Sequence, residues 1–154
     1  MPSDLTPARQ LESFIARFLP SVAREARAAR AGVRALVPGA AELVYDNWNG
    51  LVIGFGPTTR PSDAILSILV TADHVTLCFI QGGPSLPDPA GLLRGSGRVV
   101  RHVRLASARD LQTPALRALI EAAVARSDVP FAKRRRRELI IKSVSPKQRP
   151  RRPL

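Results

Sequence analysis

The hydrophobic period of this chain first changes at Pro38-Gly39, and that change bounds the fold more tightly than anything else in the sequence. Before it, apolar residues recur every three or four positions, the spacing of one helix face. After it they alternate, the spacing of strands buried on one side. Helices followed by a run of strands predict an α+β domain, because a parallel α/β sheet would interleave the two periods.

The helical part divides at Pro20. Thr6 can cap a first helix with Pro7 at its first position, and Leu11, Phe14, Ile15, Phe18 and Leu19 follow on one face. Ser21 can cap a second helix, with Val22, Ala26, Ala29, Val33 and Leu36 on one face and Arg24, Arg27, Arg30 and Arg34 on another, an arrangement that reads as soluble surface. Beyond Gly39, Glu42 to Tyr45 and Leu51 to Phe55 read as strands around Asn47-Trp48-Asn49-Gly50, whose Asn-Gly pair suits a turn needing positive φ. Ile65 to Val70 and Val75 to Ile80 form the next pair, and prolines mark the flanking stretches as loops. A fifth strand, Val99 to Leu105, has Val99, Val103 and Leu105 on its more apolar face, with Arg101 interrupting it. Thr113 and Pro114 then open a helix carrying Leu116, Leu119, Ile120, Ala123 and Val124.

The expected architecture is therefore N-terminal helices, a largely antiparallel sheet of about five strands, one C-terminal helix packed on the sheet, and a basic tail. Residues 1–127 form the single domain, and residues 128–154 the Arg/Pro-rich tail, within which 138–144 can pair as an edge strand. Aromatics make up only 5% of the chain, so the core must be built from aliphatic side chains. The single Cys78 excludes an internal disulfide and fits a reducing cytosol. The first ten residues lack the basic and apolar regions of a signal peptide, and no apolar run reaches the length of a transmembrane span. A cytoplasmic protein is expected.

The net charge of +12 is unevenly placed. Residues 133–154 hold ten Lys or Arg against the single acid Glu138, whereas the preceding residues hold fourteen Arg against eleven acids. Lys133, Arg134, Arg135, Arg136 and Arg137 are consecutive, and Lys147, Arg149, Arg151 and Arg152 follow among prolines. Self-repulsion and low hydrophobicity disfavour packing of such a run. Its chemistry selects polyanions, namely RNA or DNA through counterion release, or an anionic membrane surface. A solubilising or docking tail is the plainer reading.

Other candidate sites are weaker. Gly54-Phe55-Gly56 and Gly95-Ser96-Gly97 do not lead into a helix and lack the lysine of a phosphate loop, so they read as strand and turn. Ser96 lacks the spacing of a nucleophile elbow. Cys78 sits mid-strand, where a thiol usually packs as a small apolar group. Trp48 can stack on a ligand or base, or fold over the sheet edge. Arg98, Arg101, His102 and Arg104 can bind an anion, or form a solvated basic strand. No nucleophile and base pairing and no paired carboxylates at useful spacing are present, so no catalytic residue, cofactor or metal is expected.

YDNWNGLVIGF, GLLRGSGRVVRHVRL and TPALRALIEAA, in this order between Leu11 and Ser127, resemble the YdhG-like family, a group of small bacterial domains of unknown function. The resemblance implies an α+β fold and brings no catalytic residues. One branch is described as frataxin-like iron chaperones, which implies a metal carrier. The residues fit that poorly, since iron wants clustered carboxylates or imidazoles. Here the acids are scattered, and His102 sits among arginines, with His74 the only other histidine. Two expectations follow: a non-catalytic binding domain with RNA or DNA affinity through its tail, and, alternatively, a carrier of a small anionic ligand or metal on the sheet face near Trp48, Arg101 and His102.

Overall fold

The computed structural model describes residues 5–133 and 136–154. Helices α1 (Pro7–Ile15) and α2 (Pro20–Leu36) precede strands β1 (Ala41–Asp46), β2 (Leu51–Gly56), β3 (Leu66–Thr71), β4 (His74–Phe79) and β5 (Arg101–Leu105); helix α3 (Pro114–Ala125) and strand β6 (Leu139–Val144) complete the chain. The six strands lie in the order β5-β4-β3-β2-β1-β6. Every neighbouring pair is antiparallel except β1 and β6, which run parallel. The α+β expectation holds, and the edge strand read for 138–144 is present as β6.

Each helix opens on a proline, and α1 also has a side-chain cap. Thr6 Oγ1 accepts from the Arg9 N–H at 3.2 Å, and Pro7 fills the first helical position. α2 starts two residues earlier than a Ser21 cap would place it, because Pro20 itself takes the first position and no side chain caps it. A proline there has no N–H to satisfy, which makes a capping side chain less necessary.

All three helices pack on one face of the sheet. Leu11, Ile15 and Phe18 from the α1 region, Ala26 and Val33 of α2, and Leu119 and Ile120 of α3 share one cluster with Val44, Ile53, Ile68 and Leu77 of the sheet. Those four strand residues stand in one row across the ladder, since Val44 pairs with Ile53, Ile53 with Ile68 and Ile68 with Leu77. The same alternation puts Glu42 and Asp46 of β1 on this helix-covered face. Each such aliphatic side chain contributes about 1.5–3 kcal/mol by leaving water.

β5 and β6 lie at opposite edges, so the chain from Leu105 must cross the full width of the sheet, about 24 Å at 4.8 Å per strand step. α3 covers about 18 Å of chain length at 1.5 Å per residue. The remainder of the crossing falls to the segment that passes Gly39, where the Ala132 carbonyl lies too close for any side chain. β6 then pairs with β1 from Glu42↔Leu139 to Asp46↔Val144, with a register shift after Val44. The segment read as a basic tail thus supplies a strand of the sheet.

Two local readings are corrected. β5 begins at Arg101 rather than Val99, because residues 95–100 form the turn of a small hairpin closed by the Arg94↔His102 bridge. Gly95 takes φ +108 in that turn, and Val99 and Val100 are exposed. The β1–β2 connection needs no left-handed residue: among the described residues positive φ occurs only at Gly82, Gly91 and Gly95. Gly50 is required for space instead, since a Cβ there would lie 2.6 Å from the Val70 carbonyl oxygen. Gly50→Ala is expected to destabilise the fold by about 1–3 kcal/mol. The readout is the urea unfolding midpoint, and an unchanged midpoint would show that β2 and β3 yield there at no cost.

Candidate functional site: the C-terminal latch and the basic edge

Asp46 ends β1 with its carboxylate facing the helices, and its side chain is only 1% exposed. A carboxylate in that position must be paired, since desolvating an isolated charge costs several kcal/mol. Two arginines meet it. Arg151 Nη2 donates to Oδ1 at 2.9 Å, and Arg17, just beyond α1, donates from Nη1 to Oδ2 at 3.3 Å. The Arg151 side chain is 3% exposed and also donates to the Asn47 carbonyl. Its guanidinium lies over the Phe18 ring, 5.8 Å from the centroid.

Backbone bonds draw the rest of the terminus onto the same hairpin. The Ser145 N–H and Gln148 Nε2 both donate to the Asp46 carbonyl at 2.9 Å, and the Arg149 N–H donates to the Trp48 carbonyl at 2.9 Å. Gln148 Oε1 in turn accepts from Arg17 at 2.8 Å, and Arg152 Nε donates to the Arg17 carbonyl at 3.0 Å. Residues 145–152 are therefore a latch closed on the β1–β2 turn. Arg151 leaves the expected polyanion set, because its charge is buried against Asp46.

A second pairing secures the other end of β1. Glu42 accepts from Arg30 at 2.6 and 3.0 Å in a two-pronged contact, and Arg34 Nε lies 3.5 Å from it. Half of the arginine stripe on α2 is thus tied to the sheet rather than lying free on the surface. Burial holds the Arg34 guanidinium below its ordinary pKa against the pull of Glu42, and the positive charges of Arg30 and Arg137 add to that depression. Arg137 therefore stands close enough to extend a positive field from α2 onto the start of β6.

The other expected cations distribute along this edge. Lys133, Arg136 and Arg137 are exposed before β6, Lys142 is exposed within it, and Lys147, Arg149 and Arg152 are exposed beyond it. Arg134 and Arg135 lie outside the described residues. β6 itself is about 20 Å long at 3.3 Å per residue, which sets the span of the stripe. Trp48 sits at its upper end, 51% exposed, with the Arg149 guanidinium 4.6 Å from its ring centroid.

Trp48 and the β5 cluster do not meet. β1 and β5 are four strand steps apart, about 19 Å. The register also puts them at opposite ends: Asp46 lies in the row of Leu51, Val70, Val75 and Leu105, while Arg101 lies in the row of Phe79, Leu66, Phe55 and Glu42. No shared sheet-face pocket of Trp48, Arg101 and His102 exists. Arg101 donates to the Gly97 carbonyl and to the Val100 carbonyl at 3.3 Å, so it braces its own turn. His102 exchanges main-chain bonds with Arg94, and Arg98 and Arg104 are exposed. Arg104 lines a groove of about 390 Å³ shared with Arg94, Leu92 and Leu116.

Among the described residues no group of three His, Cys, Asp or Glu side chains comes together as a metal site, and no helix is long and apolar enough to cross a membrane. Cys78 is half-buried on β4, facing away from the helices, and burial pushes its thiol above the ordinary value while Ser67 partly offsets this. The residues that build the site and escaped the sequence reading are Asp46, Glu42, Arg17 and Gln148. Their one legible signal is Glu42-Leu43-Val44-Tyr45-Asp46, where two acids share a strand face with a valine. In comparisons with known proteins, no family model, no curated protein and no solved structure matches this chain.

Asp46→Ala should cost about 3–5 kcal/mol of stability, since it strands the buried charge of Arg151, and Arg151→Ala should cost less, since Arg17 still meets Asp46. The double variant should cost clearly less than the sum, and additive losses in urea unfolding would show that the pair is not coupled. Cys78 should react with iodoacetamide at pH 7.5 at least about tenfold more slowly in the native chain than in urea, because only the thiolate attacks. Equal rates would contradict the burial.

Proposed function

We propose that this chain is an intracellular, non-catalytic nucleic-acid-binding domain that uses the β6 edge as its contact surface. The resemblance of Leu11 to Ser127 to YdhG-like domains stands as part of this proposal. The observation that carries it is the placement of the C-terminal cations. They are set out along one sheet edge by a folded strand and latch, and Lys142, Lys147 and Arg149 have no carboxylate partner among the described residues. A pre-ordered row of cations binds a phosphate chain without having to order itself first, and gains from counterion release. The free thiol of Cys78 fits the reducing compartment in which such a partner is found.

A small-ligand or metal carrier has less support, because its proposed residues lie at opposite corners of the sheet and no metal-ligand cluster is present among the described residues.

Deleting residues 133–154 would remove β6 and the partner of Asp46, so point substitutions give the cleaner test. With about six phosphates contacted, log K against log salt should fall with a slope of about −4 on a single strand and about −5 on duplex. Replacing Arg136, Arg137, Lys142 and Lys147 by Gln should flatten that slope by about 3 without lowering the unfolding midpoint. A flat salt response in the parent chain, or binding confined to phosphatidylserine vesicles, would overturn the reading.

A further inference from the structure

Trp48 is the only tryptophan of the chain and lies half exposed in a turn, outside the hydrophobic cluster. A large ring that covered apolar surface would be buried by it. Here one face is covered by a guanidinium, and about half of the side chain stays open to solvent. We propose that the open face of Trp48 is a stacking platform for an unpaired nucleobase, so that the β6 edge takes single-stranded RNA or DNA in preference to duplex. This deepens the nucleic-acid reading above and rests on it.

Three features of the latch support the assignment. The main chain that carries the ring is fixed, because the Trp48 carbonyl accepts from the Arg149 N–H at 2.9 Å and from Arg151 Nη1 at 3.5 Å. A backbone ordered in advance lowers the ordering cost of a stack. Arg149 over the ring continues the sandwich as cation, indole and base, a combination suited to single strands because every base has a π face. Phosphates on either side of the stacked base would meet Lys147 and Arg152, both exposed in the same segment. In duplex the bases are already stacked on one another, so only the cations can contribute.

Trp48 emission reports this site alone. A 12-nucleotide oligo(dT) or oligo(U) is expected to quench it by half or more, with binding weakened about 5- to 100-fold by Trp48→Ala and largely kept by Trp48→Phe. Inorganic polyphosphate and a blunt duplex should bind the edge with little quenching. Circular dichroism of both variants, expected to be unchanged for so exposed a residue, separates stacking from folding. Equal quenching by polyphosphate or duplex, or equal single-strand affinity in the alanine and phenylalanine variants, would overturn the stacking proposal while leaving the polyanion reading intact. Failure of every nucleic acid to bind the parent chain would overturn both.

Discussion

The carboxylate of Asp46 sits at the end of a strand that is buried along nearly its whole length, and a charge so placed survives only when a cation reaches it. No residue near it in the chain supplies one. Arg17 comes from the end of α1 and Arg151 from the last few residues of the chain, so this one ion pair ties both termini to the β1–β2 hairpin. Buried pairs of this kind add little net stability over an apolar substitute, yet losing one partner is costly. The consequence is positional: once Arg151 is committed, residues 145–150 must run beside the hairpin, and β6 is held against β1 at the same end. Glu42 does the same for the other end of β1 through Arg30 and Arg34.

This partition of arginines determines what remains for a partner. Arg17, Arg30, Arg34 and Arg151 are occupied by the two acids of β1 and are not free for a partner. The cations left on the β6 side form a row, with Trp48 at one end. Lys142 on this strand has a second effect. A free strand edge invites pairing with another chain, and a charged side chain there opposes it. The cations proposed to meet phosphate would thus also oppose pairing of this edge with another chain.

Much of the fold was legible where local rules govern it. Thr6-Pro7 and Pro114 start helices as their chemistry requires, and the alternation from Leu51 to Phe79 gives strands within a residue or two. Gly95 makes the turn read for it. The turn at Asn47 to Gly50 was located correctly but for the wrong reason, since Gly50 answers to the approach of the Val70 carbonyl rather than to its own φ. Crowding across strands has no local signature. The β5 cluster and Trp48 were grouped on composition, and strand order separates them, because β1 and β5 lie four places apart.

By itself, the sequence determined the class of the fold, the position of most elements and the concentration of positive charge after Phe131. Those properties depend on period, capping and composition, each of which is written in neighbouring residues. Only the tertiary structure decided that the segment from Arg136 onward would pack on β1 and its turn, and which of its cations stay available. Propensity and self-repulsion argue against folding that segment, and what overrides them locally is a set of contacts with β1 and its turn, more than a hundred residues away from Arg151. These are the β6 ladder, the backbone bonds to Asp46 and Trp48, and the buried pair of Arg151 with Asp46, whose sum no neighbouring residues announce.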